Sequence, residues 1–421
     1  MHVLRFFYAK IRVKWIIFHF SKCQNRALCK LYNKESLKCV FFCLFEEVWK
    51  FDDVYQLMER HPRFDPVIFV CPIINYDREN MLIRLNKCYK FFKERNYRVI
   101  MSYDERNNKY VDVVEKIKPD IIFYTNPYRG LIDDRYYITN YPNILTCYTN
   151  YCFFENKDMS FYNMLFNNLL WRFYCETPAH KRYCAKYSSN KGRNAVMTGY
   201  PGIEKLIVKK ESLCYKDWKC GNDYRHKIIW APHHTMEAVG NVHYSCFLQY
   251  SDFMIELAQK YKDKIQIVFK PHPLLKVKLY SLWGKNKTDD YYKQWAIMPN
   301  TSLNESLYYD LFLTSDAIIH DSASFIAEYL FVNKPALRTM NGIPVESLYN
   351  DFTIDCLKCY YKAYSCNDIE NFVQNVINDV DSLMEYRTKF VNEVLKPKCS
   401  PSQAILDDIL DSIDNQILYR N

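Results

Sequence analysis

Two series of short apolar runs, each of strand length and each followed by a segment with helical spacing, constrain the fold of this chain most strongly. The first series has runs at residues 37–45, 66–72, 97–102, 120–124 and 143–148. The second has runs at 227–231, 265–269, 317–319 and 335–339. Strands that alternate with helices in this way are typical of parallel sheets covered by helices on both faces. The sequence therefore predicts an α/β fold.

A cluster of glycine and proline separates the two series. Gly199-Tyr200-Pro201-Gly202 is followed by a polar, lysine-rich segment, and such residues interrupt regular structure. We predict a basic leader at residues 1–35, an N-terminal α/β domain at 36–200, a C-terminal α/β domain at 201–400 and a C-terminal helix at 401–421. Two Rossmann-like βα domains that face a cleft form a GT-B-like layout. We also predict one long helix over residues 165–186 and another over 322–331.

The leader is strongly basic and has apolar residues at helical spacing. It holds eight cations against the single acid Glu35, so it carries +7 of the formal net charge of +9. Charges interrupt its apolar segment, so the sequence predicts neither a spanning helix nor a cleavable signal. We expect an amphipathic helix on the anionic inner face of the cell membrane, in a cytoplasmic protein; the alternative is a helix packed on the first domain. The apolar positions are Leu4, Phe7, Tyr8, Ile11, Trp15 and Phe18, and the cations are Arg5, Lys10, Arg12, Lys14, Lys22, Arg26, Lys30 and Lys34.

Several common ligands are not expected. The chain has only eight glycines and no GxGxxG or GxxxxGK[ST] motif, which argues against a dinucleotide or Walker ATP site. Seventeen cysteines show no paired spacing of ligands beyond Cys356 and Cys359, so we expect reduced thiols, no cofactor and no metal. Outside the leader there is no basic stripe, so we expect no nucleic acid partner.

Four basic or imidazole side chains follow strands of the second series. Lys270 and His272 lie in Lys-Pro-His-Pro after residues 265–269, and His233 and His234 come directly after the strand that ends at Ala231. The carboxyl ends of parallel strands meet at one edge of a sheet, so we expect these side chains in one site. A lysine and an imidazolium or Nε2–H donor would suit a diphosphate. In the alternative, Lys270 pairs with an acid and the prolines only end a strand.

A second polar group follows the run at 317–319. Asp321, Ser322 and Ser324 stand at the start of the predicted helix, where hydroxyls and free N–H groups can bind an anion or simply cap the helix. Glu328 lies one turn beyond Ser324, within reach of a ribose hydroxyl pair, unless it is an ordinary solvated acid. These four residues complete the predicted donor site.

These motifs together resemble the C-terminal half of the CDP-glycerol glycerophosphotransferase family, the enzymes that build teichoic acids and related capsular polymers. The resemblance covers residues 194–339. It implies a GT-B fold in which the first domain serves the acceptor and the second binds the CDP-linked donor. The family's Lys-Pro-His-Pro matches Lys270 to Pro273, which implies a catalytic or phosphate-stabilising His272. Its Asp-x-Ser-Ser element appears as Asp321-Ser-Ala-Ser324, and its following helix acid corresponds to Glu328.

Two motifs depart from the family pattern. Typical members carry Trp-His-Gly-Thr-Pro in the first domain, where this chain has Cys147-Tyr-Thr-Asn-Tyr-Cys152 and no histidine. They also carry Ala-Pro-Thr-Trp-Arg where this chain has Ala231-Pro-His-His-Thr235. The base is therefore assigned to His233 or His234.

The resemblance predicts a metal-independent phosphotransferase. It moves glycerol phosphate, or another alditol phosphate, from a CDP-linked donor to a hydroxyl of a lipid-linked or cell-surface glycan acceptor and releases CMP. Two alternatives stay open. One is a GT-B glycosyltransferase that uses a CMP-activated sugar in capsule synthesis, and the other is a non-catalytic membrane-associated assembly protein.

Overall fold

The computed structural model describes residues 2–75, 77–207, 213–237 and 243–416, with side chains from residue 11 onward. It divides into two compact units. Unit 1 comprises Met1–Phe154, Asp158–Glu204 and Pro397–Asn421, and unit 2 comprises Glu155–Lys157 and Lys205–Lys396. The C-terminal helix, which the sequence set apart, therefore belongs to unit 1.

Fifteen strands occur among the described residues. They are β1 (Leu37–Cys43), β2 (Phe64–Val70), β3 (Val99–Met101), β4 (Tyr103–Asp104), β5 (Lys109–Tyr110), β6 (Ile121–Tyr124), β7 (Leu145–Thr149), β8 (Arg172–Cys175), β9 (Ala195–Met197), β10 (His226–Ala231), β11 (Ile265–Phe269), β12 (Thr301–Leu303), β13 (Ala317–His320), β14 (Ala336–Thr339) and β15 (Tyr361–Ala363).

The same part of the chain contains seventeen α-helices. They are α1 (His2–Leu31), α2 (Asp52–Arg60), α3 (Arg78–Lys93), α4 (Val113–Lys116), α5 (Leu165–Leu169), α6 (Pro178–Tyr187), α7 (Glu204–Ile207), α8 (Phe247–Lys260), α9 (Leu275–Trp283), α10 (Lys285–Ile297), α11 (Tyr309–Thr314), α12 (Phe325–Glu328), α13 (Val345–Leu348), α14 (Asp351–Leu357), α15 (Cys366–Ile377), α16 (Met384–Phe390) and α17 (Pro401–Asp414).

Unit 1 is built on a seven-stranded parallel sheet in the order β3-β2-β1-β6-β7-β8-β9. Its central strand, β1, is apolar at almost every position because both of its faces are buried. Phe41 lies in the core on one face of the sheet together with Ile409 of α17, whereas Phe42 lies in the core on the other face. The five apolar runs of the first series therefore predict five of its seven strands, namely β1, β2, β3, β6 and β7.

Unit 2 is built on a six-stranded parallel sheet in the order β12-β11-β10-β13-β14-β15. The chain winds outward from β10 in one direction and then returns to place β13 on its other side. In doubly wound sheets, ligands bind outside the carboxyl ends of the strands at this reversal. The predicted α/β class is confirmed in both units.

The predicted helix over residues 165–186 is wrong. The chain forms the short helix α5, the buried strand β8 and then α6, which begins at Pro178 with Thr177 as its N-cap. Aromatic residues favour a strand between 171 and 175. Arg172 in this strand donates to Asp408 Oδ2 of α17 over 2.9 Å, and this partner lies 236 residues away in the sequence.

The predicted helix over residues 322–331 is also irregular. Only Phe325–Glu328 is α-helical, and Tyr329–Val332 continues as a 3-10 turn that ends at Asn333 in the left-handed conformation. The helix N-terminus that was predicted to bind an anion therefore belongs to a single turn of α-helix.

Helix α1 buries one side and exposes another. Phe20, Cys23 and Leu28 are buried in unit 1, whereas Trp15 and Phe18 of the predicted apolar stripe are 63% and 44% exposed. The stripe residues Leu4, Phe7 and Tyr8 lie outside the residues whose side chains the structure describes. In the described part of the chain, no helix combines the length and the apolar character that crossing a bilayer requires.

Candidate active site

Three polar loops follow neighbouring strands of unit 2. They leave the carboxyl ends of β11, β10 and β13, and β10 lies between the other two strands. The loops after β10 and β11 are joined directly, because the His272 N–H donates to the Pro232 carbonyl over 3.1 Å. The predicted residues therefore lie at one edge of the sheet, as expected for residues that follow parallel strands.

His233, His234 and His272 form a compact cluster. The ring centroids are 4.4 Å apart for His233 and His234, 4.2 Å for His234 and His272, and 4.8 Å for His233 and His272. All three side chains are partly exposed. The two histidines of the Ala-Pro-His-His-Thr segment therefore pack against the histidine of Lys-Pro-His-Pro.

The imidazoles of this cluster are neutral at physiological pH. Burial, followed by the charge of nearby groups, lowers the pKa of His272 to about 3 and that of His234 to about 4, and it places the pKa of His233 well below the ordinary value. The Leu274 N–H donates to His272 Nδ1 over 3.1 Å, so the proton of the neutral ring is on Nε2. Of the two forms that the sequence allowed for His272, the structure favours the Nε2–H donor over the imidazolium.

Asp321 organises the loops rather than capping the helix. Its carboxylate is buried, with one oxygen accepting the His233 N–H and the other accepting the Cys246 N–H over 2.7 Å. The N-cap of α12 is Ser324, and no side chain caps it. Burial raises the pKa of Asp321 to about 6. Asp321 was predicted to bind the donor, but both of its oxygens are engaged by the backbone, which suits a positioning role.

Ser322 and Ser324 lie together after β13. Their Oγ atoms are 3.2 Å apart, and Ser324 is the more exposed of the two. Arg338 of β14 is buried and donates to the Ser322 carbonyl over 3.3 Å and to the Tyr349 hydroxyl. This guanidinium brings a fixed positive charge to the loop that carries the serine pair.

Lys270 and Glu328 belong to a buried polar group around Tyr308. Lys270 Nζ donates to Asn304 Oδ1 over 2.9 Å and to the Ser306 carbonyl over 2.7 Å, and it lies 6.0 Å from the centre of the Tyr308 ring. The Tyr308 hydroxyl donates to Glu328 Oε2. Glu328 is 1% exposed, so the alternative of a solvated helix acid is wrong.

The first-domain motif that lacks histidine ends strand β7 in unit 1. Asn150 donates to Glu176 at the end of β8. The nearby His180 is buried, with Nδ1 2.7 Å from Thr177 Oγ1 and Nε2 3.2 Å from the Phe154 carbonyl. Because a carbonyl only accepts, His180 Nε2 carries the proton, and both ring nitrogens are engaged. His180 thus has the contacts of a structural histidine.

Three residues of the site were missed by sequence reasoning. Arg338 and Tyr308 are described above, and Lys278 of α9 lies close enough to His234 and His272 to lower the pKa of both imidazoles. Of the three, only Arg338 could have been found from the sequence. It stands alone within the apolar run at 335–339, and a charged residue in a buried strand needs a partner or a ligand. Lys278 lies on a helix that the sequence analysis did not predict.

Comparison with solved structures gives the fold. A putative UDP-N-acetylglucosamine 2-epimerase from Listeria monocytogenes aligns with a TM-score of 0.59 at 11% identity, over 92% of this chain and 99% of that chain. The UDP-GlcNAc 2-epimerase from Neisseria meningitidis, bound to UDP-GlcNAc, aligns with a TM-score of 0.54 at 15% identity, over 89% and 99%. A structure of the wall teichoic acid polymerase TagF with CDPG aligns with a TM-score of 0.53 at 14% identity, over 99% of both chains. These similarities support a GT-B-like fold built from two sheet-containing units.

Comparison with protein-family models identifies the family of the chain. No curated protein matches the chain. The family model described as CDP-Glycerol:Poly(glycerophosphate) glycerophosphotransferase matches residues 172–395, which is more than half of the 421 residues and includes every motif of the unit 2 site. The match confirms the family that the motifs predicted. The chain belongs to the CDP-glycerol:poly(glycerophosphate) glycerophosphotransferase family, whose reaction is the transfer of glycerol phosphate from CDP-glycerol.

Proposed function

We propose that unit 2 binds CDP-glycerol at the carboxyl ends of β11, β10 and β13, and that unit 1 serves a lipid-linked or cell-surface glycan acceptor. The observation that carries this proposal is the packing of His272 against His233 and His234, beside the loop of the serine pair. The donor's pyrophosphate needs positive charge and N–H or O–H donors, which this edge of the sheet supplies. The nucleotide ligands named for the UDP-GlcNAc epimerase and for TagF support the same use of this fold.

In the proposed reaction, a hydroxyl of the acceptor attacks the phosphorus that carries glycerol. The new P–O bond replaces the bond to CMP, and the proton of the hydroxyl passes to a base. Such a displacement depends on positioning and on neutralising charge at the leaving group. We assign His272 Nε2–H to the departing CMP phosphate, with Lys270 and Arg338 as nearby cations.

The remaining roles follow from the positions of the side chains and from protonation. Ser322 and Ser324 donate hydroxyls to the pyrophosphate, and Asp321 positions the loop that carries His233. Glu328 accepts from a ribose hydroxyl once its buried carboxylate becomes accessible on donor binding. Neutral imidazoles have a free lone pair, so His233 or His234 is the proposed base.

Donor screening tests this function. Purified protein is incubated with an acceptor preparation and with CDP-glycerol, CDP-ribitol, CMP-sialic acid or CMP-Kdo, and CMP release is measured. We expect release from a CDP-alditol, with CDP-glycerol the preferred donor, and loss of release in His272→Asn. Release from the CMP-sugars alone would contradict the proposal and favour the glycosyltransferase alternative. Binding of lipid vesicles without binding of any cytidine nucleotide would favour the assembly protein.

We also propose that α1 associates with an anionic membrane surface. Trp15 and Phe18 are exposed on this helix, and Lys22 lies 4.4 Å from the centre of the Phe18 ring. Exposed aromatic residues beside cations are typical of helices that lie in the headgroup region. A membrane-bound enzyme would meet a lipid-linked acceptor at the surface that holds it.

A further inference from the structure

We propose that His233, His234 and His272 together bind one divalent transition-metal cation of the Zn²⁺ class. Each imidazole offers one nitrogen, and these nitrogens all lie within 4.8 Å of one another. Within residues 2–75, 77–207, 213–237 and 243–416, no other group of three histidine, cysteine or acidic side chains meets this condition. This inference goes beyond the proposed function, because transfer assisted by imidazole and lysine N–H groups requires no metal. Rings that hold a metal cannot also supply the Nε2–H donor or the base, so the metal-bound state and the transfer-competent state of the cluster exclude each other.

The donor set fits a borderline metal. Imidazole nitrogen is a preferred ligand of Zn²⁺, Co²⁺ and Ni²⁺, whereas Mg²⁺ and Ca²⁺ prefer oxygen. Zn–N bonds in a tetrahedral site place the ligand nitrogens about 3.3 Å apart, so the rings must move inward from their present separation. Partly exposed side chains can make this movement by rotating about their side-chain torsions. Three protein ligands leave the fourth position open.

The hydrogen bonds of the Nδ1 atoms show what each ring would keep or lose when it binds a metal. His233 Nδ1 is 2.9 Å from Thr235 Oγ1 and also accepts the Thr235 N–H over 3.3 Å. When His233 ligates through Nε2, Nδ1 carries the proton, gives up the bond from the N–H and can donate to the hydroxyl, as outer partners of metal-bound histidines do. His234 Nδ1 is buried and has no hydrogen-bond partner among the described residues, so a cation would satisfy it. His272 must give up the bond from the Leu274 N–H, because a neutral ring that ligates through either nitrogen no longer accepts it.

Two cations near the cluster affect which ligand the fourth coordination position of the metal would take. Lys278 acts electrostatically on His234 and His272, and Arg338 acts on His233. Their positive charge opposes a bare divalent cation and favours an anion at the open position. We therefore expect Lys278→Ala to increase the metal affinity when no anion is present.

Co²⁺ binding to the full chain, without nucleotide, tests the proposal. Cys29, Cys214 and Cys399 are exposed and are first replaced by serine, so that thiolates do not compete for the metal. We expect one Co²⁺ per chain, with the visible bands of four-coordinate Co²⁺ and no thiolate charge-transfer band. His234→Ala should weaken binding by more than the about 10- to 100-fold that loss of an outer partner costs.

The controls separate this proposal from the transfer reaction and from loss of folding. His226→Ala removes a histidine at the opposite end of β10 and should leave Co²⁺ binding unchanged. Lys278→Ala is a gain-of-affinity variant, so its result does not depend on a damaged fold. Absence of the visible bands from the wild type, or bands of equal intensity in His234→Ala, would overturn the proposal. Because no donor is present, failure of the transfer assay would leave the metal result intact.

Discussion

The Asp321 carboxylate accepts the backbone N–H of His233, so the acid that follows β13 fixes the loop that follows β10. Asp321 is only 2% exposed, so this contact buries a carboxyl group almost completely. Burial raises its pKa from 3.8 to about 6. Site geometry and pH-dependent stability are therefore linked through one residue.

The first prediction concerns this linkage. A carboxyl group with a raised pKa binds its proton more tightly in the folded chain, so its contribution to stability is greatest below pH 3.8 and is lost as the pH rises to about 6. The shift corresponds to about 3 kcal/mol. We expect the free energy of unfolding of the wild type to fall by this amount relative to Asp321→Asn between about pH 4 and pH 7, measured by urea titration.

Asp316→Asn is the matched control for that experiment. Asp316 stands at the other end of β13 and also accepts a backbone N–H, that of Lys227, over 2.8 Å. It separates the effect of changing any acid that accepts a backbone N–H from the effect of changing the buried acid. A difference between wild type and Asp321→Asn that is constant with pH would contradict the assignment.

The second prediction concerns the donor role of His272. His272→Asn places an amide oxygen where Nδ1 accepts the Leu274 N–H, but it has no donor at the Nε2 position. We expect kcat for CMP release to fall by about 10²- to 10³-fold, the cost of losing one preorganised donor at developing negative charge. Far-UV circular dichroism should remain that of the wild type. His226→Ala, at the amino end of β10, is the control, and wild-type turnover in His272→Asn would refute this role.

The third prediction concerns the pH dependence of transfer. The pKa values of about 3 for His272 and about 4 for His234 keep both imidazoles neutral until the pH falls well below neutrality. Activity that needs neutral rings should therefore be lost only as the pH falls through these values, and it should not decline on the acid side near the ordinary histidine pKa of about 6.5. The measurement is kcat/KM against pH. A limb near 6.5 that also appears in Asp321→Asn would show that an essential imidazole becomes protonated at the ordinary histidine pKa, and it would contradict the prediction.

The fourth prediction concerns Glu328 and the ribose. Glu328→Gln retains an oxygen for the Tyr308 hydroxyl but removes the charge that would strengthen a bond to a ribose hydroxyl. We expect KM for CDP-glycerol to rise about 10-fold or more, in keeping with the loss of a charged hydrogen bond. A donor with a 2′-deoxyribose should show a similar penalty with the wild type and little further penalty with the variant. Glu305→Gln, at an exposed acid nearby, is the control. Additive penalties would argue that Glu328 does not contact this hydroxyl.

The fifth prediction concerns the exposed face of α1. Replacing Arg12, Lys14 and Lys22 with glutamine should weaken binding to anionic vesicles by about 100-fold, at about 1 kcal/mol for each cation. Added salt should weaken wild-type binding in the same direction. Trp15→Ala should reduce binding further through loss of buried apolar area. Vesicle co-sedimentation measures each effect.

The control for that series removes three exposed cations from other helices of unit 1, Arg60, Lys93 and Lys116. It lowers the net charge equally without changing α1. If both triple variants lost vesicle binding to the same extent, the attraction would belong to the overall charge and not to this helix.

Much of the fold could be predicted from local pattern. Continuous apolar runs such as Leu37–Cys43 identify strands buried on both faces, because only a sheet covered by helices needs them. The prediction failed at residues 171–175, where Arg172 interrupts the apolar run. Its partner Asp408 lies on α17, and no local pattern shows that a helix so distant in sequence will neutralise it.

The sequence by itself determined the α/β class, the family, and the position of Lys270, His272 and the serine pair at strand ends, because apolar periodicity and short motifs are local properties. Only the tertiary structure decided the state of these groups. It joined His233 to Asp321 across two strands, placed Arg338 beside the serine loop and made the imidazoles neutral. The physical reason is that a pKa and a hydrogen bond depend on desolvation and on partners, which folding supplies from distant parts of the chain.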